Sequence, residues 1–141
     1  MAFTSGRSKH LVFANIHTGK ITRAIFTQQD TTHMVAISDK EDFAFTTNIR
    51  SNSISQLNLT SNKIERQINT ELMPEGINIT QNGKEIWYGS NKDGLITVFS
   101  PITNEVLAQF SGFSFPYRVL FSHHEKHALV PDFRNHYLRF F

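Results

Sequence analysis

The sequence contains no cysteine. This absence excludes disulfides, thiolate zinc ligands and cysteine nucleophiles. Long apolar runs are also missing, because no window approaches the roughly 18 apolar residues of a transmembrane helix. The first seven residues lack the apolar stretch of a signal peptide. We therefore expect no membrane span and, for the chain as written, a cytoplasmic location.

Neither sign of charge dominates the chain. Fourteen Lys and Arg residues face twelve Asp and Glu residues, which gives a formal net charge of +2. Such a balance provides no concentrated field that would steer the chain toward nucleic acid or an anionic membrane. Aromatic residues interleave with few basic ones, so a base-stacking groove is not expected. We predict no nucleic-acid partner.

A helical pattern is absent too, and a strand pattern repeats in its place. No 3.6-residue apolar period continues for the ten residues that a helix needs. Short alternating segments recur instead, each followed by a polar turn such as Asn82-Gly83, which favours the positive φ of a tight hairpin. The first segments of three successive repeats begin at Val35, Ile77 and Val119, which are 42 residues apart.

Each repeat contains four short segments of this kind, as a four-stranded antiparallel sheet would. A repeat of about 42 residues with four strands is typical of a β-propeller blade. One small sheet cannot cover both of its faces, whereas sheets arranged around an axis cover one another. The sequence therefore predicts an all-β fold, a partial β-propeller of about three and a half four-stranded antiparallel blades. A β-sandwich, which also has alternating strands, is the alternative.

The repeat phase sets the boundaries of the blades. Ala2–Ser5 aligns with Ala44–Thr47, and Tyr137–Phe141 aligns with Leu95–Phe99. The repeats are then 1–32 without an inner strand, 33–74, 75–116, and 117–141 without an outer strand. Incomplete end blades expose an apolar face and unpaired edges, so we expect self-association or missing blades supplied by another chain. The residues predicted to be buried between blades are Ile37, Phe45, Ile79, Trp87, Phe121 and Leu129.

The third repeat resembles a known family. Pro74-Glu75-Gly76, the turn Thr80 to Lys84, and Ser90-Asn91 follow the pattern of the YVTN repeat, a WD40-like propeller repeat. Phe45-Thr46-Thr47-Asn48 stands where Tyr-Val-Thr-Asn belongs in the second repeat. Similar repeats build surface-layer and periplasmic binding proteins, and related propellers occur in lactonases, amine dehydrogenase subunits, and copper or haem reductases. The resemblance allows a periplasmic or extracellular location for a longer parent protein, and fold alone does not choose the function.

Propellers of this kind usually meet ligands at the face where inner strands begin and second strands end. The resemblance implies a polar ligand-binding face in this chain, suited to a small anionic ligand, a metal or a peptide. The alternative is that polar loop residues of these types need no function. Candidate ligand-binding residues are His33, Glu75, Tyr117 and Arg118 at inner-strand starts, with Arg50, Lys92, Asp132 and Arg134 in connections between second and third strands.

No catalytic template accompanies this face. The sequence has no Gly-x-Ser-x-Gly elbow, phosphate-binding glycine loop or His-Glu-x-x-His helix. His123, His124 and His127 are predicted to occupy a solvated turn and its neighbouring strand at the opposite end of the blades, where nothing fixes metal geometry. We assign no catalytic residue, metal ligand or cofactor. The predicted function is a non-catalytic binding or interaction module for a protein, peptide or small ligand. The alternative is a truncated fragment of a lactonase-like or dehydrogenase-like propeller enzyme.

Overall fold

The computed structural model describes residues 1–141 and consists of fourteen strands and one short 3-10 helix. Blade 1 contains β1 (Ala2–Ser5), β2 (His10–Ala14) and β3 (Ile21–Phe26). Blade 2 contains β4 (Thr32–Ile37), β5 (Phe43–Asn48), β6 (Ser53–Asn58) and β7 (Lys63–Asn69). Blade 3 contains β8 (Pro74–Ile79), β9 (Ile86–Ser90), β10 (Leu95–Phe99) and β11 (Val106–Phe110). Blade 4 contains β12 (Leu120–Phe121), the 3-10 helix (His123–Glu125), β13 (Ala128–Asp132) and β14 (Tyr137–Phe140).

Every blade is a separate antiparallel sheet whose strands pair in sequence order. The blades hold three, four, four and three strands. The prediction of an all-β partial propeller is confirmed, and the four sheets form no closed ring. The structure contains no helix that could span a membrane.

A four-residue turn joins the second and third strands of blades 2 and 3 and the equivalent strands of blades 1 and 4. In blade 1, which has no inner strand, these equivalent strands are β1 and β2, and in blade 4 they are β13 and β14. Its fourth residue is left-handed in each case, with φ of 60° at Lys9, 49° at Asn52, 64° at Gly94 and 57° at His136. Gly adopts this conformation freely and Asn and His are enriched in it, whereas Lys adopts it less readily. The common turn therefore defines equivalent positions in all four blades.

This turn corrects the alignment of blade 1. The pairs that close the turn are Ser5 with His10 in blade 1 and Asn48 with Ser53 in blade 2. Counting back from them, Ala2 is equivalent to Phe45, so the predicted match of Ala2 with Ala44 is wrong by one residue. The two segments share the letters Ala-Phe-Thr, and this identity suggested the wrong alignment. Structurally equivalent residues are those at the same distance from the pair that closes the hairpin turn.

The core lies in the three interfaces between neighbouring blades, as expected for sheets that cover one another. The interface of blades 1 and 2 buries Leu11, Ile25, Ala44, Leu57 and Leu59. That of blades 2 and 3 buries Ala36, Phe45, Ile54, Ile68, Ile77, Ile86, Tyr88 and Phe99. That of blades 3 and 4 buries Ile96, Phe113, Val119 and Val130.

The predicted core positions are only partly correct. Phe45 is buried at 2% exposure, whereas the other five residues are half-buried. Trp87 lies at the rim of its interface, where its ring stacks on Phe110 at 5.7 Å and meets Phe121 edge-on at 5.9 Å. Leu129 lies on the outer face of blade 4, which no other blade covers. Ile37, Ile79 and Phe121 end the inner strands and contact only the edges of the clusters.

Candidate functional site

The candidate site is the end of the blades where the second strands finish and the inner strands start, here called the loop face. It carries the four-residue turns 6–9, 49–52, 91–94 and 133–136. It also carries the long connections that lead from one blade to the next, residues 27–31, 70–73 and 111–119. Connections of this kind are where scaffolds of regular strands most often place binding residues.

A basic residue occupies the second position of every four-residue turn. Arg7, Arg50, Lys92 and Arg134 are all exposed. Because the turns are equivalent, these side chains form a series with one cation per blade, here called the cation series. Arg7 was not predicted as a site residue, because the misaligned first repeat hid its equivalence. The constant turn length between Ser5 and His10 is the signal that identifies it.

Three aromatic rings meet on the loop face of blade 4. Phe115, Tyr117 and Phe133 have ring centroids 5.8 to 6.2 Å apart. The Arg118 guanidinium lies 4.8 Å from the Tyr117 ring centre, and that of Arg134 lies 5.0 Å from the Phe115 ring centre. Both distances fit a cation–π contact. These five residues are here called the aromatic–arginine cluster, and Phe133 is its most accessible ring at 64% exposure.

Arg118 also links two blades that are not neighbours. Its Nη1 donates to the Met34 sulfur of β4 at 2.9 Å. The backbone at Arg118 lies so close to β8 that a Cβ on Gly76 would be 2.8 Å from its Cα. Glycine is therefore required at position 76, and this close approach fixes where Arg118 leaves the backbone.

Arg50 and Lys92 lie apart from the aromatic–arginine cluster. They line one open cavity of about 390 Å³ between blades 2 and 3. Thr31, Ile49, Asn52, Leu72 and Met73 form the rest of its wall. The cavity combines two free cations with partly exposed apolar side chains.

His33 and Glu75 occupy equivalent strand starts, and their backbones are fixed by equivalent threonines. The Thr4 hydroxyl donates to the His33 carbonyl, and the Thr47 hydroxyl donates to the Glu75 carbonyl at 2.8 Å. The Glu75 side chain is buried and accepts from the Asn91 amide. Nδ1 of His33 is buried without a partner. Neither side chain contacts the aromatic–arginine cluster.

Asp132 faces inward and is fully buried. Its carboxylate accepts from the backbone N–H groups of Ser114 and Phe115 at 3.1 and 2.9 Å, from Asn135 at 2.9 Å, and from Arg139 at 3.3 Å. Burial by itself raises the pKa of Asp132, but these hydrogen bonds and the Arg139 charge outweigh it and leave the pKa below its ordinary value. Asp132 therefore positions the segment that carries Phe115.

Glu71 performs a comparable structural task between blades 2 and 3, and the sequence did not reveal it. Its carboxylate accepts from the Tyr88 hydroxyl at 2.6 Å, from Gln109 at 2.7 Å and from Thr97 at 3.3 Å. Burial raises the pKa of Tyr88 well above 10.0, and the bond to Glu71 and the Glu71 charge raise it further. The proton thus stays on the tyrosine oxygen.

The opposite end of the blades has a different character. A cavity of about 400 Å³ opens there between blades 2 and 3, with Phe43 and Ile79 in its apolar wall and Asp39 and Asp42 among its polar residues. His123 and His124 lie in the exposed 3-10 helix at this end. The structure brings no three His, Asp or Glu side chains together in a metal-binding arrangement.

Comparison with known proteins identifies the fold only. No family model matches the chain, and no curated protein does. Hydrazine synthase from Kuenenia stuttgartiensis superposes with a TM-score of 0.83 at 18% identity, over 92% of this chain and 37% of that one. U3-55K superposes with a TM-score of 0.70 at 12% identity, over 99% of this chain and 48% of that one. Both are propeller-type proteins, and this chain spans less than half the length of either.

Proposed function

We propose that this chain is a non-catalytic binding module whose loop face holds an acidic segment of a partner protein. The observation that carries the proposal is the aromatic–arginine cluster. Tyr, Phe and Arg side chains that contact one another are enriched at the centres of protein interfaces. Here such a group lies at the surface, with Phe133 at 64% exposure. The partner segment needs carboxylates for the arginines and an apolar side chain for the exposed ring.

The charges of the loop face favour an acidic partner. Its carboxylates are largely engaged within the chain, because Glu71, Glu75 and Asp132 accept hydrogen bonds from neighbouring side chains. The Asp93 carboxylate accepts from the backbone N–H of Leu72 at 2.6 Å. The cation series, by contrast, extends into solvent and has no ion-pair partner. The four exposed cations of the series outnumber the two exposed carboxylates of the loop face, Asp30 and Asp93, so an approaching anionic segment meets an excess of positive charge.

A protein segment fits this face better than nucleic acid does. Nucleic-acid affinity requires many simultaneous phosphate contacts, and the chain as a whole carries a formal charge of only +2. Binding of single strands also needs a succession of accessible rings. Phe115 and Tyr117 are half-buried against their neighbours, so Phe133 alone offers an open face.

The repeats themselves we assign to the YVTN type. The turn Thr80 to Lys84 and the Ser90-Asn91 pair support this assignment. The alternative function, a fragment of a propeller enzyme, has less support, because the loop-face carboxylates that a general acid or base would need are bonded within the chain.

The test measures binding of a fluorescein-labelled deca-glutamate peptide with one central phenylalanine, by anisotropy at low and at physiological salt. The double variant Arg118→Ala/Arg134→Ala should bind at least tenfold more weakly than the parent. The matched control is Lys40→Ala/Lys84→Ala, which removes the same charge from exposed positions at the opposite end of the blades. It should bind like the parent, and higher salt should weaken binding by the parent.

Three results would count against the proposal. One is equal loss of binding in the two double variants, which would show that only net charge matters. Another is tighter binding of a labelled ten-nucleotide RNA than of the acidic peptide, which would indicate a nucleic-acid partner. The third is absence of any peptide binding by a parent chain whose melting curve shows that it is folded.

A further inference from the structure

The cavity at the end of the blades opposite the loop face contains a polar side chain where the equivalent positions carry apolar ones. It lies between blades 2 and 3 and is here called the acidic cavity, with Gln56, Asp39 and Asp42 in its wall. Gln56 is the fourth residue of β6, and the equivalent residues are Phe13 in β2 and Val98 in β10. Gln56 is only 8% exposed. A buried amide costs free energy unless its polar atoms find partners, so this departure from the repeat needs a reason.

Only one of the two polar groups of the Gln56 side chain is bonded within the chain. Its Oε1 accepts from Nε of Arg66 at 2.6 Å, and another nitrogen of the same guanidinium donates to the Pro101 carbonyl. Because a guanidinium only donates, the oxygen of Gln56 must be the atom that faces Arg66. The Nε2 amino group makes no hydrogen bond within the chain and retains access to the cavity. It is therefore an oriented donor that a bound acceptor would satisfy.

The turn between β4 and β5 gives the cavity its negative charge. Oδ1 of the half-buried Asp42 accepts from the Ser38 hydroxyl at 2.5 Å, which fixes the carboxylate, while Oδ2 accepts no hydrogen bond. The Asp39 carboxylate is exposed and unbonded. Lys40 is the one cation among the lining residues, and it forms no ion pair. Two carboxylates against one ammonium leave the wall with a net charge of −1, so the cavity favours a cation.

Apolar side chains form much of the remaining wall. Phe43 and Ile79 are half-buried, and Phe45 is 2% exposed. Ile102 lines the same cavity and is 78% exposed. The cavity volume of about 400 Å³ lies within the range of pockets that bind small organic molecules, roughly 300 to 1,000 Å³. A ligand of this size would remove apolar surface of Phe43 and Ile102 from water, which favours binding.

We propose that the acidic cavity binds a small organic amine that carries an apolar group and one hydrogen-bond acceptor. The ammonium group lies against Asp42, whose Oδ2 is free and whose orientation Ser38 fixes. The acceptor takes the hydrogen bond that Nε2 of Gln56 offers, and the apolar group covers Phe43. Each part of the ligand thus meets a group that the chain leaves unpaired. The cavity lies at the opposite end of the blades from the aromatic–arginine cluster, so this proposal is independent of the acidic-peptide site.

Phenylalaninamide is the probe, because it combines an amine, a benzyl group and a carbonyl acceptor in one small molecule. Two related compounds each remove one feature, since N-acetylphenylalaninamide has no charge and 2-phenylethylamine has no carbonyl. All three are titrated at pH 6, where the free amines are protonated, into the ¹⁵N-labelled chain and followed by two-dimensional NMR. The side-chain amide signals of Gln56, identified by their loss in Gln56→Leu, should move with phenylalaninamide. Phenylalaninamide should bind about tenfold more tightly than its acetylated analogue, as expected for a hydrogen bond to a charged group.

Substitutions assign each part of the ligand to its residue. Asp42→Asn keeps an oxygen for Ser38 but loses the charge, and it should weaken phenylalaninamide binding about tenfold. Gln56→Leu should fold, because Phe13 and Val98 hold the equivalent positions, and it should bind phenylalaninamide and 2-phenylethylamine equally.

Two further variants separate a local charge effect from a general one. Asp30→Asn is the matched control, because it removes the same charge from an exposed position on the loop face, and it should bind like the parent. Asp39→Asn changes an exposed carboxylate that holds no part of the chain, and it should weaken binding about twofold. It therefore tests the charge even if Asp42→Asn fails to fold.

Three results would overturn the proposal. Equal binding of phenylalaninamide and its acetylated analogue would show that the cavity does not select a cation. Equal losses in Asp30→Asn and Asp42→Asn would show that only the net charge of the chain matters. The third is a folded parent whose Gln56 signals do not move at millimolar phenylalaninamide. Arg118→Ala/Arg134→Ala should bind the amine like the parent, so a failure at this cavity and a failure at the acidic-peptide site are distinguishable.

Discussion

The interface between blades 2 and 3 and the outer face of blade 4 are built from equivalent residues in opposite surroundings. Ile54, the second residue of β6, is fully buried in the first, and Leu138, the second residue of β14, is half exposed in the second. Repeat phase therefore assigns a residue to one face of a sheet, and the neighbouring blade decides whether that face is covered. Whether a side chain in this fold is buried therefore depends on its own blade and on the blade that packs against it.

The largest expected effect on stability comes from truncating the two equivalent residues, one buried and one exposed. Ile54→Ala removes buried methyl groups and leaves a cavity, so the free energy of unfolding should fall by about 2–5 kcal/mol. Leu138→Ala should lower it by about 0.5 kcal/mol or less, as surface changes do. Urea unfolding of the two single variants measures both losses. Equal losses at the two positions would show that the equivalence is wrong.

The next prediction compares two carboxylates that both accept from backbone N–H groups. Asp132→Ala leaves the partly buried N–H groups of Ser114 and Phe115 without their acceptor and should cost about 1–3 kcal/mol. Asp93→Ala removes an exposed carboxylate from the N–H of Leu72 and should cost under about 1 kcal/mol, because water replaces it. Thermal unfolding of the two variants makes the comparison.

Acid provides a second measurement on Asp132. Because the folded chain lowers the pKa of this carboxyl, its contribution is complete above the unfolded pKa of about 3.9 and is lost as pH falls through the folded value. The stability difference between parent and Asp132→Ala should therefore be constant from pH 7 to pH 5 and shrink below about pH 4. A difference that grows in acid would mean that the carboxyl is protonated in the folded chain.

The sequence predicts the strands well, because alternation and turn residues are local properties. It predicts the face that a side chain occupies, but not its exposure. Ile37 and Leu129 have the phase of core residues, yet the first ends a strand and the second faces no neighbour, and neither fact is visible in a short window of sequence.

The candidate site divides in the same way. Tyr117, Arg118 and Arg134 could be assigned to one end of the blades from repeat phase alone. Their contact with Phe115 and Phe133 depends on how the long connection 111–119 folds, and no repeat precedent covers it. Asp132 and Glu75 have the residue type of ligand-binding groups, and only the structure shows their carboxylates bonded internally.

The smallest expected effect concerns Tyr88, which lies at the repeat position that Phe3 holds in blade 1. Tyr88→Phe removes one hydrogen bond to Glu71 and should cost about 1 kcal/mol at neutral pH. Since burial and Glu71 raise the pKa of Tyr88 in the folded chain, its stabilisation is complete below the unfolded pKa of about 10 and is lost as pH rises above it. Each pH unit above about 10 favours the unfolded parent by about 1.4 kcal/mol, which exceeds the single hydrogen bond. The parent should therefore be the more stable protein at pH 8 and the less stable one near pH 11, as measured by urea unfolding.

Phe3→Tyr is the matched control, because a phenol in water at the blade 1 face has no buried carboxylate beside it. Its stability relative to the parent should not change with pH, and a crossing there as well would contradict the assignment to Tyr88.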